Sequence, residues 1–131
     1  MNYYIITGTS SGIGEPIARK LILDRQSVIC ISRTLNETLT DIVSPSTGRF
    51  WYFESDLGEL HQIPSLMNEI FGLLGRESIT SLPLVNNAAV LDPVAAAGEY
   101  DLHQLQQHFN VNLLAPVILS NEFIRLSGHQ D

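Results

Sequence analysis

Four short runs of β-branched and aromatic residues, Tyr3 to Thr7, Ser27 to Ser32, Phe50 to Phe53 and Leu82 to Val85, recur along the chain with helix-patterned segments between them. Runs of this length, closed by glycine or polar turn residues, read as buried strands. After the first run, Ile13, Ile17, Leu21 and Ile22 share one helical face. A short helix is expected within Asn36 to Val43, ahead of loop chemistry at Ser44 to Gly48. Met67, Ile70, Phe71 and Leu74 form the stripe of a third helix, which Pro64 can open because proline is tolerated in a first turn. From about Asp101 to Leu126, Leu102, Leu105, Phe109, Leu113 and Val117 repeat at helical spacing. Strict alternation of strand and helix requires parallel neighbours joined by crossovers, and right-handed crossovers wind helices onto both faces. The expected fold class is α/β: a doubly wound parallel sheet with helices on both faces, most simply in the order 3-2-1-4.

Bulk properties narrow the functions open to such a fold. A chain of 131 residues with 44% hydrophobic and 16% charged content fits one globular domain, and neither a repeat nor a linker divides residues 1–131. The formal net charge is -7, and the seven basic residues are scattered, so a polyanion is repelled and nucleic-acid binding is not expected. A lone cysteine, Cys30, excludes an internal disulfide and reads as a small buried hydrophobe. No apolar stretch approaches membrane-spanning length and the first residues lack the pattern of a secretory leader, so a cytoplasmic protein without a membrane partner is expected.

The segment Thr7-Gly8-Thr9-Ser10-Ser11-Gly12-Ile13-Gly14 lies between the first strand and the first helix. There Gly8 permits a tight turn, Gly12 lets the backbone approach an anion, and Gly14 allows helix to pack closely on strand. The free amides and positive dipole end of the helix then face the phosphates of a dinucleotide, with Ser10 and Ser11 as hydroxyl donors. Pro16 is acceptable if the helix starts near Gly12 to Ile13, because its missing amide would be unpaired there in any case.

The run T-G-T-S-S-G-I-G resembles the T-G-x-x-x-G-x-G signature of the short-chain dehydrogenase/reductase family. Asp56-Leu57, after the third strand, resembles the family's adenine-contacting Asp and its neighbour. Asn86-Asn87-Ala88-Ala89, after the fourth, resembles N-N-A-G, with Ala89 in the place of the glycine. Asn112 matches the asparagine of the family's catalytic tetrad. The resemblance spans Tyr3 to about Phe123 and is nearest to bacterial benzil reductases and the sepiapterin reductase-like group. It implies an NAD(P)-binding Rossmann domain with Gly8, Ser10, Ser11, Gly12, Ile13, Gly14, Asp56, Leu57, Asn87, Ala88 and Ala89 at the cofactor.

The second strand ends Cys30-Ile31-Ser32-Arg33, with no carboxylate to accept the ribose 2′-hydroxyl of NAD. Arg33 is instead suited to pair with a 2′-phosphate through its planar fork of donors, so NADP(H) is the expected cofactor. The same absence disfavours a methyltransferase, whose ribose hydroxyls would want an acidic residue there.

The resemblance further implies a Ser that polarises a substrate carbonyl and a Tyr-x-x-x-Lys that moves the proton. Tyr3, Tyr4, Tyr52 and Tyr100 are followed four residues later by Thr7, Gly8, Asp56 and Gln104, and Lys20 is the one lysine. These residues are therefore expected to lie outside the chain, which then forms an NADP-binding Rossmann domain incomplete at its C-terminal end. Of the catalytic set, Asn112 is present; Pro116, four residues on, has no amide to give to its carbonyl, which fits the family's water relay from that oxygen. His61, His103, His108 and His129 lack ligand spacing, so no metal site is expected. The expectation is a reductase of a small-molecule ketone or diketone in its full-length form, inactive as these residues alone and homo-oligomeric. The alternative is a non-catalytic nucleotide-binding or assembly module.

Overall fold

The computed structural model describes residues 1–10 and 12–128. They form two compact units: residues 1–56 with 72–88, and residues 57–71 with 89 onward.

The first unit is built on a four-stranded parallel sheet in the order β3-β2-β1-β4, as the alternation predicts. Its strands are β1 (Tyr3–Thr7), β2 (Ser27–Ser32), β3 (Phe50–Glu54) and β4 (Leu84–Val85), with helices α1 (Gly14–Leu23) and α2 (Glu37–Asp41). Register runs Tyr3 to Ser27 through Thr7 to Ile31, and Val28 to Phe50 through Ser32 to Glu54. The fourth strand is shorter than the run Leu82 to Val85 implies. Pro83 has no amide hydrogen, so it contributes only its carbonyl, which accepts from the Ile5 amide at 3.0 Å, and the ladder begins after it.

One face of the sheet carries a core of Ile6, Ala18, Ile22, Val28, Cys30 and Leu39, with Ile17, Leu21, Ile42 and Phe50 against it. The buried stripe of α1 is Gly14, Ala18 and Ile22, whereas Ile13 is 71% exposed, because the helix begins only after Ile13. Pro16 falls in that first turn, where its missing hydrogen costs nothing. Residues on the opposite face of β1 and β2, namely Tyr3, Ile5, Ile29 and Ile31, are buried too. At the far edge, the Arg49 guanidinium stacks 5.0 Å from the Trp51 ring, bonds the Tyr3 hydroxyl and pairs with Glu77 at 2.8 Å.

In the second unit, α3 (Ile63–Leu74, whose last turn is grouped with the first unit) is followed by α4 (Leu102–Phe109) and α5 (Ala115–Ser127). The single long helix read from Asp101 to Leu126 is divided by a π-helical turn, Asn110–Leu114. The Ala115 amide bonds the Asn110 carbonyl, five residues back, and Pro116 sits in the first turn of α5. The repeating stripe is not the buried one: Leu102, Phe109, Leu113 and Val117 are 49–79% exposed, while Val111, Ala115, Leu119 and Glu122 are buried. Buried Glu122 is paired by Arg125, which also reaches Asn68, and Phe71 meets Phe123 edge-on at 5.9 Å.

Candidate dinucleotide site

The glycine loop leaves the carboxyl end of β1 beside the exit of β4, and the two are locked by side chains. Thr7, 1% exposed, accepts through its hydroxyl oxygen the amides of Asn87 at 3.0 Å and Ala88 at 2.9 Å. The Asn87 amide nitrogen returns two bonds, to the carbonyls of Thr7 at 3.1 Å and Gly8 at 3.0 Å. Sequence reasoning assigned Asn87 to the cofactor; its side chain is committed to holding the loop. The sequence marks Thr7 as the last strand residue and the first of the glycine motif, but not as this lock, whose partners lie some 80 positions away.

The three glycines have different physical reasons. Gly8 has φ +72, and a methyl there would meet the Ala88 backbone at 2.7 Å. Gly14 is helical, but a Cβ would press into the Gly8 peptide and lie 2.6 Å from the Asn87 amide nitrogen. At Gly12, with φ +63, an added Cβ meets nothing within 4 Å. Gly8 and Gly14 are thus packing glycines, and Gly12 lies open, as a backbone that receives an external group must. Ser10 is half-buried and Ile13 is exposed. Ser11 lies outside the described residues.

At the end of β2, the Ser32 carbonyl accepts from the Tyr52 hydroxyl at 3.1 Å and from the Ser55 amide at 3.0 Å, which fixes the point where Arg33 leaves the sheet. Arg33 is exposed and makes no ion pair among the described residues. Asp56, half-buried, follows Ser55 just beyond the end of β3. Beneath the loop, burial pushes the Cys30 thiol up to about 12, with a smaller opposing effect from the Thr9 hydroxyl. That thiol is inert packing.

In the second unit, Leu57 is buried and Ala89 exposed. Asn112 is clamped to the loop that follows Ala89: its side-chain oxygen accepts the Val90 amide at 2.7 Å and its nitrogen donates to the Val90 carbonyl at 2.7 Å. His108, one turn earlier, bonds the Asp92 carbonyl at 3.0 Å and lies 3.3 Å from the Asn112 nitrogen. His108 therefore braces this loop, a role its spacing from other histidines did not reveal. A depression of about 170 Å³ is lined by Pro93, Tyr100, Leu105, His108 and Phe109.

A glycine loop open at Gly12, a cation at the end of β2 and an asparagine lock at the end of β4 define an α/β domain of the dinucleotide-binding type. The chain belongs to the short-chain dehydrogenase family, whose model matches residues 2–130. Benzil reductase ((S)-benzoin forming) of Bacillus cereus is 34% identical over 125 residues, covering 95% of this chain and 50% of that protein. The enzyme of the same name from Bacillus subtilis (strain 168) is 33% identical, with 95% and 49% covered. The chain thus spans about half the length of these curated relatives. Among solved structures, a short-chain dehydrogenase/reductase from Burkholderia vietnamiensis is similar with TM-score 0.83 at 21% identity, over 95% of this chain and 56% of that one. A metagenomic short-chain oxidoreductase in complex with NADP is similar with TM-score 0.81 at 25% identity, again over 95% and 56%.

Proposed function

We propose that this chain is the NADP(H)-holding portion of a carbonyl reductase acting on a ketone or diketone. The observation that carries the cofactor choice is Arg33: an exposed guanidinium at the end of β2, without an ion-pair partner among the described residues and without a carboxylate in the Cys30 to Arg33 run. Pyrophosphate oxygens would meet the backbone at Gly12 and Ile13 and the Ser10 and Ser11 hydroxyls, and Asp56 with Leu57 would border the adenine. Ala88 and Ala89 would lie along the nicotinamide ribose. The metagenomic relative that binds NADP supports the same choice.

Bound NADPH supplies the hydride that reduces a carbonyl carbon. Thr7 and Asn87 hold the glycine loop in shape, and in the second unit Asn112 holds the backbone at Val90. Pro116 gives the Asn112 carbonyl no α-helical partner, leaving that oxygen suited to bind a water in a proton relay. The carbonyl substrate is inferred from the name of the two Bacillus relatives, and the depression between Pro93 and Phe109 would form part of its pocket. With no Tyr-x-x-x-Lys in the sequence, these residues alone are expected to bind cofactor and turn over nothing. Exposed Leu102, Phe109, Leu113 and Val117 favour self-association through α4 and α5, and they are what an assembly module would use.

Replacing Arg33 by Ala tests the reading. Calorimetric titration is expected to give tighter binding of NADP⁺ than NAD⁺ to the wild type, and loss of roughly tenfold or more for NADP⁺ alone in the variant, the worth of one charge-assisted pair. A wild type that prefers NAD⁺ overturns it.

A further inference from the structure

The Asn36 side chain stands between the loop that carries Arg33 and the glycine loop. Its amide nitrogen donates to the Thr9 carbonyl at 3.2 Å and the Ser10 carbonyl at 3.3 Å, both in the stretch between Gly8 and Gly12. Its oxygen accepts the Thr38 amide at 3.1 Å and so caps α2. The Thr38 hydroxyl can give its one proton either to the same oxygen or to the Glu15 carboxylate on α1, 3.2 Å away. The Asn36 side chain thus joins the cap of α2 to the glycine loop.

Carbonyl oxygens repel a phosphate and amide hydrogens attract it. In a trans peptide the two point in opposite directions, so holding the Thr9 oxygen toward Asn36 turns the Ser10 amide hydrogen the other way. A loop whose carbonyls are engaged on one side presents donors on the other without reorganising when an anion arrives, which is where preorganised sites gain affinity.

We propose that Asn36 is a positioning residue for dinucleotide binding, its amide tying the Arg33 loop to the glycine loop and orienting the peptides that face the pyrophosphate. It rests on the NADP(H) reading above. Asn36 itself touches no phosphate: it acts through the Thr9 and Ser10 carbonyls.

Asn36→Ser separates this role from capping. Serine caps a helix about as well as asparagine, but it carries no amide donor and is too short to span to the loop. Binding of NADP⁺ and of adenosine 2′-monophosphate, which has the 2′-phosphate and no pyrophosphate, is measured by calorimetry, with thermal melting alongside. In Asn36→Ser, NADP⁺ is expected to weaken about tenfold, the loss of two loop-orienting hydrogen bonds, while adenosine 2′-monophosphate binds as in the wild type. Asn36→Thr, a second capping residue, is expected to repeat the pattern if the serine variant melts early. NADP⁺ binding unchanged in both variants overturns the proposal, as does a parallel loss of both ligands, which would mark general damage to the loop. Should the wild type bind both ligands and only the variants fail to differ, the NADP(H) reading stands and Asn36's role falls. Should Arg33→Ala leave adenosine 2′-monophosphate binding untouched, it is the cofactor reading that fails.

Discussion

Replacing Thr7 by Val removes one oxygen from the centre of the site and little else. The two side chains have nearly the same volume and both suit a strand, so packing and strand preference are kept. What is lost is the acceptor for the Asn87 and Ala88 amides, at 3.0 and 2.9 Å from a hydroxyl on a residue 1% exposed. A buried donor left without a partner costs about 1–3 kcal/mol. Asn87 and Ala88 are half-buried, which favours the lower end, so the two amides together are worth about 2–3 kcal/mol. For a chain of this size that lowers the melting temperature by roughly 10 °C. Thr7→Ser keeps the oxygen and loses a methyl worth about 1 kcal/mol. Thermal denaturation followed by circular dichroism should therefore rank wild type, Thr7→Ser, Thr7→Val in descending order. If Thr7→Val is as stable as Thr7→Ser, the hydroxyl does not hold the β4 exit and the reasoning is wrong.

Two further outcomes follow from the same geometry. Asn112→Ala breaks both bonds to Val90, at a cost of about 1–2 kcal/mol, and should speed hydrogen exchange of the Val90 amide, whereas an unchanged rate would mean that the clamp is not made in solution. Cys30, held at about 12 against an ordinary 9.0, binds its proton more tightly when folded, so its contribution to stability is complete below about pH 9 and is lost as pH rises towards 12. Chemical denaturation across that range should give falling stability, and a Cys30→Ala variant should fall less; equal slopes would contradict the burial argument.

What could be read from the residues beforehand depended on the range of the interaction. Strand runs and the glycine spacing are local patterns, and the fold keeps all four strands in the expected order, with the fourth cut back to Leu84–Val85 by Pro83. Pro116 showed in the sequence that the Asn112 carbonyl lacks its α-helical partner, but not that the pattern from Asp101 to Leu126 divides at a π-helical turn, where the Ala115 amide bonds the Asn110 carbonyl. The exposed stripe of Leu102, Phe109 and Val117 has the periodicity of a buried face, and periodicity alone carries no information on which of two apolar faces is covered. The roles of Thr7, Asn36 and His108 are not legible in the sequence, because nothing in their own segments shows what they bond. Their meaning comes from the partners Asn87, Thr9 and Asp92, which the fold brings near.

Phosphorus NMR of NADP⁺ bound to the chain most directly addresses the claim that the glycine loop takes the pyrophosphate and Arg33 the 2′-phosphate, because the two groups give separate resonances. On titration with the wild type both resonances should shift, and with Arg33→Ala only the pyrophosphate should. In the wild type, a 2′-phosphate resonance that stays at its free position while the pyrophosphate moves would contradict the assignment of Arg33 and with it the preference for NADP(H).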